Sequence, residues 1–378
     1  MSQAVDVIVV GGGIVGLANA WSAAKRGLSV ALFERDRIAQ SASVRNFGMV
    51  WPIGQPPGEM HQRAKQSRTC WQELVDAGVV WADPCGSLHL SYKPDEMAVI
   101  SEFVDRRVEL GFECELLSVG EIRQHYPSIN SRGLLGGLWS PSEMCVDPRA
   151  AIASIPKFLH ERYNVQLRFG VAVRDVDAGN VKTSTGETWT AKRIVVCSGV
   201  DFQTLFPEAF VHSGIRKCKL QMMRTAPQPN GFRVGTMLAG GLTLCHYKAF
   251  EKCKSLPALK QRFDAEMSEY VKYGIHVMLS QNGNNECVIG DSHEYDEDIT
   301  PFDKRSIDEM ILSYLGGLVN LPSSEIQERW HGIYAKHPTQ SLFTAEPQPN
   351  AHVVVAPGGA GMTMSFGFAE DMWDKWAN

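Results

Sequence analysis

Residues 5–34 read VDVIVVGGGIVGLANAWSAAKRGLSVALFE. The run Val5 to Val10 is apolar and rich in β-branched residues, which suits a strand buried on both faces. Gly11, Gly13 and Gly16 follow at once in G-x-G-x-x-G register. The three glycines differ in what they permit. Gly11 makes the sharp turn, Gly13 lets the backbone approach a pyrophosphate, and Gly16 lets the helix pack on the strand. The helix then presents free N–H groups and its dipole to phosphate. Gly27 is placed to end that helix. A second strand over 29–33 leads to Glu34, near the spacing expected of a carboxylate that accepts a ribose 2'-hydroxyl. Strand, glycines, helix, strand and acid in this order predict a dinucleotide-binding βαβ unit. The stretch lacks the basic leading segment of a signal peptide, and its glycines sit where a turn needs them, so neither a leader nor a membrane helix is expected.

The chain has 378 residues, enough for two domains. Its apolar share of 44% and charged share of 21% are those of a soluble globular protein. A formal charge of -5 argues against a nucleic-acid partner, which would call for a basic patch or stripe. The nine cysteines are scattered, odd in number and form no CxxC. That pattern suits reduced, mostly buried thiols in a cytoplasmic protein better than a disulfide framework or a zinc site.

Farther along, RDRIAQSASVRNFGMVWPIG follows Glu34 as a loop of short polar residues, where a nicotinamide enzyme would be expected to enter another βα unit. GETWTAKRIVVCSGVDF predicts a hairpin and an apolar strand stopping at Cys197-Ser198-Gly199, and HVVVAPGGAGMTMSFGFAED a strand, a glycine cluster and a helix. This set resembles the D-amino-acid oxidase, glycine oxidase and sarcosine oxidase family of FAD-dependent amine oxidoreductases. The resemblance implies an α/β fold: an FAD-binding Rossmann-like domain with a second, largely antiparallel α+β substrate domain, and a flavin lying between them. It implies that Gly11, Gly13, Ile14, Val15, Gly16, Glu34 and Arg35 surround the ADP half of FAD. Ser41, Ser43, Asn46, Phe47, Gly48 and Met49 would run along the phosphates and flavin, with Gly48 passing close to the ring. Val173 would pair its backbone with adenine, and Ser198 and Gly199 would approach the pyrophosphate. Gly332, Gly359, Ala360, Gly361, Met362 and Thr363 would lie at the flavin. Backbone N–H groups of Gly359, Ala360, Gly361 and Met362, at a helix start, could stabilise negative charge on the reduced ring.

The stretch HGIYAKHPTQ, residues 331–340, poses a separate question. In the amino-acid oxidases of this family a Gly-x-Arg grips the substrate carboxylate; the matching place here is Gly332-Ile333-Tyr334, where tyrosine stands in the arginine's position. The sarcosine oxidases tether their flavin through a nearby cysteine, and this chain has none after Cys287, so non-covalent FAD is expected. His331 and His337 are six apart with Lys336 nearby and no carboxylate in the stretch, so no metal is expected there or elsewhere. On a strand, His331, Ile333 and Ala335 would face one way and Tyr334 and Lys336 the other, making the stretch a pocket wall. Tyr334, His246 and Arg45 are the candidates for catalysis and substrate contact. Lys336, His337, Tyr247 and Lys248 could complete a replacement anion site. SVRNFGMVWP is similar to a branch of the family associated with aminophosphonate breakdown, and a phosphonate dianion suits several cationic and hydroxyl donors.

The expected boundaries are 1–85, 141–214 and 326–378 for the FAD-binding domain, and 86–140 with 215–325 for the substrate domain. There GSLHLSY, KCKLQMMRT, LTLCHY and ECVIGDS read as strands and LKQRFDAEMSEYVKYG as helix. Gly290-Asp291 mimics a flavin-hydroxylase signature but runs into acidic sequence, so His293 and Glu294 are expected at the cleft rim or simply in solvent, and not as catalytic residues. The function implied is oxidation of a small primary or secondary amine, of amino-acid or aminophosphonate type. Hydride passes to flavin, the imine hydrolyses to a carbonyl compound, and O2 or another acceptor takes the electrons. Two alternatives stand beside it: an NAD(P)H-using flavin monooxygenase, and a non-catalytic FAD-binding subunit.

Overall fold

A computed structural model describes residues 3–296 and 298–377. The glycine-flanked N-terminal segment folds as strand β1 (Gln3–Val10), helix α1 (Ile14–Lys25) and strand β2 (Val30–Glu34). β1 lies at the centre of an eight-stranded sheet, parallel to β2 on one side and to Thr188–Val196 on the other. Gln166–Phe169 extends the sheet beyond β2 in parallel, and Ala351–Val355 pairs in parallel with the end of Thr188–Val196. The parallel strands therefore end together, bringing Gly11, Glu34, Cys197 and Ala356 to one edge, where open α/β sheets bind ligands. The hairpin Val173–Asp177 and Asn180–Thr183 closes one side.

α1 has almost no solvent face: ten of its twelve residues are buried. The closing helix Gly361–Ala377 packs along it, and Trp21 and Trp71 meet Phe366 edge-on at 5.3 and 5.1 Å. Such pairs gain from the ring quadrupoles beyond the area they bury. One of the polar residues this burial traps, Asn19, is satisfied: the indole N–H of Trp373 donates to Asn19 Oδ1 at 3.1 Å, and Asn19 Nδ2 donates to the Val15 carbonyl at 2.9 Å. In consequence the body of α1 is braced by the closing helix behind it.

The second sheet has nine strands, antiparallel except where Met237–Ala239 runs parallel to Ser87–Ser91. Helix Arg305–Leu318 covers it with Ile307, Ile311, Leu315 and Leu318, the one-sided spacing of an amphipathic helix. Two expectations fail here. LTLCHY is not a strand: Gly241–His246 is a short helix. A Cβ at Gly240 would lie 2.4 Å from the Tyr314 ring and one at Gly241 2.5 Å from the Glu96 carboxyl, so packing bends the chain against its β propensity. The strand Ile326–Lys336, assigned by sequence to the FAD-binding domain, instead pairs along Arg216–Thr225 in the second sheet. Three short strands, Met49–Val50, Met144–Val146 and Ala82–Asp83, form a third sheet. All nine cysteines are free. Among the described residues no helix is long and apolar enough to cross a membrane.

Candidate functional site

A cleft with an open volume of about 510 Å³ runs from the ends of the parallel strands to the face of the second sheet. At its first end, Gly11 has φ +108°, and a Cβ there would lie 2.3 Å from the Cys197 carbonyl oxygen. A Cβ at Gly16 would lie 1.8 Å from the Gly11 carbonyl, so helix and loop touch through a position only glycine can fill. Glu34, buried, accepts from the backbone N–H of Gly12 at 2.7 Å and of Asp36 at 2.9 Å. Those bonds fix its carboxylate at the cleft and leave lone pairs for another donor. Arg35 pairs with Asp201 at 3.1 Å. Val173, Ser198 and Gly199 line the same end, and the buried Ser198 hydroxyl has no hydrogen-bond partner among the described residues.

The middle of the cleft is walled by the loop from Ser41 to Met49. Ser43 Oγ accepts from the N–H of Ile14 at 2.9 Å, occupying one of the free donors at the start of α1. Asn46 folds the loop on itself, donating to the carbonyls of Ala42 and Ser43 and accepting from the N–H of Gly48 at 2.8 Å. Ser41, Asn46, Phe47 and Met49 line the cleft; Gly48 does not. Its φ of +72° and a virtual Cβ only 1.9 Å from the Val146 carbonyl show that its lack of a side chain serves a backbone crossing, not contact with a ring.

Beyond lies the turn Gly358–Ala360 and the start of the closing helix. The Trp71 indole holds the Met362 carbonyl at 2.8 Å, and Thr363 Oγ1 accepts from the Trp51 N–H at 3.0 Å. The Ala360 N–H donates within the turn, to the Pro357 carbonyl at 3.3 Å, which removes one of the four donors expected to face a reduced ring. Gly332 fits beneath Arg45, whose carbonyl would be 3.1 Å from a Cβ there.

Residues 331–340 divide between two environments. His331 turns to Asp303, 3.0 Å from its Nδ1, while Gly332 through Pro338 line the cleft. Tyr334 is buried, and its hydroxyl lies 3.5 Å from where Gly359 would carry a Cβ. Burial pushes the Tyr334 phenol well above its ordinary value. His337 Nδ1 accepts from the N–H of Gln340 at 2.9 Å, bracing the following turn. Arg45 lines the cleft and donates to the His331 carbonyl at 3.3 Å.

At the far end lie His246, Tyr247, Lys248, His276, Asp291 and His293. The rings of His246, His276 and His293 lie 3.8 to 4.9 Å apart between centroids. His276 escaped the sequence reading, and His293, expected at the cleft rim or in solvent, lines the cleft and is buried. The signal lay in a pairing invisible to a linear reading: Asp291 and His276 exchange backbone hydrogen bonds at 3.1 and 3.2 Å, placing the ends of two strands side by side. Burial, then the neighbouring histidines and Lys336, hold His246 well below its ordinary pKa; burial, His293 and Lys336 do the same for His276. Burial takes His293 down to about 4 and raises the Asp291 carboxyl well above its usual range. Near neutral pH the three imidazoles are bases without charge. Of the catalytic candidates Tyr334, His246 and Arg45, all three line this one cleft.

The first end fits the adenosine and pyrophosphate of FAD on its own evidence: a cradle that any Cβ would fill, a carboxylate with lone pairs to spare and an orphaned hydroxyl. The chain also matches the model of the DAO family, described as FAD dependent oxidoreductase, over residues 6–374. L-2-hydroxyglutarate dehydrogenase of Escherichia coli (strain K12) is 24% identical over 243 residues, a match covering 60% of this chain and 55% of that protein. The chain thus spans about half the length of the curated relatives it matches first. Among solved structures, glycine oxidase from Geobacillus kaustophilus superposes with a TM-score of 0.78 at 18% identity, covering 99% of this chain and 94% of that one. L-proline dehydrogenase from P. horikoshii gives 0.76 at 20% identity, with 98% and 92% covered. These likenesses establish the expected two-sheet, FAD-binding fold.

Proposed function

Because the chain belongs to the DAO family of FAD-dependent oxidoreductases, we propose that it oxidises a small primary or secondary amine bearing a carboxylate or phosphonate. When bound, FAD supplies the two-electron acceptor. The substrate's C–N single bond becomes an imine, which water hydrolyses to a carbonyl compound and an amine or ammonia. The observation that carries this reading is the continuity of the cleft: a nucleotide cradle at one end opens into a chamber of neutral imidazoles, phenols and cations at the other. Glycine oxidase and L-proline dehydrogenase, both named for amino-acid substrates, share the fold.

The residues of the chamber divide the work. Burial beside uncharged imidazoles at His246 and His276 favours the free amine over its ammonium, and the free amine's nitrogen lone pair assists loss of hydride. Arg45, Lys336 and Lys248 supply positive charge for the substrate anion, in place of the arginine that Tyr334 replaces. Several separate cations suit a phosphonate dianion at least as well as a planar carboxylate, which supports an aminophosphonate. Non-covalent FAD and a cytoplasmic location belong to the same reading, supported by nine free thiols, none of which lies beyond Cys287.

The test is anaerobic mixing of the holoenzyme with matched amines that differ only in carrying a carboxylate or a phosphonate. Visible absorption of the flavin is followed. Bleaching by the phosphonate member supports the full reading, and bleaching by the carboxylate member alone returns the protein to amino-acid oxidation. Bleaching by NAD(P)H and by no amine would overturn it.

A further inference from the structure

His246, His276 and His293 each offer a ring nitrogen, and these atoms lie within 4.8 Å of one another. Asp291 Oδ1 is 3.3 Å from His276 Nε2, and Asp291 Oδ2 is 3.9 Å from His293 Nε2. Despite that proximity, Asp291 Oδ1 and both ring nitrogens of His276 have no hydrogen-bond partner among the described residues. Buried polar atoms that crowd together without bonding to each other leave the full cost of desolvation unrelieved. Close but misaligned donors of this kind are what converge on a third body between them.

We propose that His246, His276, His293 and Asp291 form a binding site for one divalent first-row transition-metal ion, such as zinc or nickel. Imidazole nitrogens with one carboxylate suit that class of ion. Metal–nitrogen bonds of about 2.0–2.1 Å set neighbouring donors about 3–3.5 Å apart. The Asp291–His276 pair already stands at that spacing, and the histidine nitrogens lie within 4.8 Å of one another. The outer partner is in place as well. The Gly274 carbonyl lies 3.0 Å from His293 Nδ1, which directs the proton there and leaves Nε2 free to ligate.

Lys336 is a cation beside the cluster and opposes an ion. Its ammonium is turned to the Tyr295 hydroxyl, to which it donates at 3.1 Å. Open coordination positions would face the cleft, where an ion could grip a substrate anion in the role left by the missing arginine. Occupancy itself does not rest on amine oxidation, because it is read as metal per chain.

Tag-free holoenzyme is stripped with EDTA, dialysed to equilibrium against zinc or nickel, and analysed for bound metal and for flavin. Wild type is expected to hold about one ion per chain. The double variant His276→Gln, His293→Gln is expected to bind more than about 100-fold more weakly with flavin content unchanged, and His212→Gln, on the exposed surface, to match wild type. Failure of wild type to bind either metal overturns the proposal. So does equal binding by the double variant. Should that variant lose its flavin, His293→Gln alone is measured, and undiminished metal binding there refutes the site.

Discussion

Gly16→Ala should empty the nucleotide cradle, and the size of the effect follows from one contact. The added methyl would sit 1.8 Å from the carbonyl oxygen of Gly11, where real Cβ atoms essentially never come closer than 3.0 Å. Neither group is the end of a flexible side chain, so α1 or the glycine loop must move by more than an ångström. Helix α1 is pinned by the closing helix behind it, which leaves the loop to give way. That displacement breaks the bond from the Gly12 N–H to Glu34 and the bond from the Ile14 N–H to Ser43. A bond to a charged group contributes about 1.5–3 kcal/mol and a neutral one about 0.5–1.5 kcal/mol. A loss of about 3 kcal/mol weakens FAD binding roughly 100-fold. Gly27→Ala is the control: its φ of +79° makes alanine unfavourable by about 1–2 kcal/mol, yet a Cβ there meets nothing within 4 Å. The assay is the flavin-to-protein absorbance ratio, followed by titration of apoprotein with FAD. Gly27→Ala should melt earlier and bind FAD normally, and Gly16→Ala should purify largely colourless. An unchanged dissociation constant in Gly16→Ala would refute the placement of the pyrophosphate at this loop.

Arg45→Gln should weaken binding of an anionic amine by about 10- to 100-fold, as expected for loss of a charged hydrogen bond, and leave a neutral amine of the same shape nearly unaffected. Perturbation of the flavin spectrum on titration measures both, and equal losses for the two amines would remove Arg45 from the anion site. His89 gives a pH prediction. It is fully buried with neither ring nitrogen bonded, and burial takes its pKa down to about 3 from an ordinary 6.5. The unfolded chain therefore binds the extra proton between those values, and this group's contribution falls as pH drops through 6.5. Between pH 7 and 5.5 it costs the folded state about 1 kcal/mol. His89→Phe should gain that amount on wild type over the same interval, read from urea midpoints; a gap independent of pH would contradict the burial of a neutral ring.

How much of this was legible in the linear chain depended on whether the meaning of a residue is local. The βαβ unit was readable because each step constrains its neighbour: Gly11 turns, Gly16 makes contact with Gly11, and Glu34 reaches back to Gly12. The strand-to-glycine-to-helix reading of residues 352–371 stands for the same reason, since the hydrophobic run and the glycines are adjacent. Gly48 went astray because a glycine reports only that a side chain is forbidden, not what forbids it, and here Val146, far along the chain, does so. LTLCHY alternates like a strand, and nothing within it announces that Glu96 and Tyr314 occupy the space a strand would need.

The substrate end was the least legible for a deeper reason. His246 ends a short helix, His276 precedes one strand and His293 follows another, with no common spacing among them. What gathers them is antiparallel register: Met278 opposite Gly290 puts the residues just outside each strand face to face. Register is fixed by which faces the helices cover, a property of the assembled second sheet. The nucleotide end repeats one local solution, so its residues can be read from spacing. At the other end the chamber is lined by residues converging from separate elements, and a residue such as Asp291 acquires its raised pKa only once the assembled fold has buried it. Chemistry of that kind is a product of tertiary burial. The nucleotide end can therefore be read from spacing, while the charge balance of the chamber around Tyr334 exists only once the second sheet has formed.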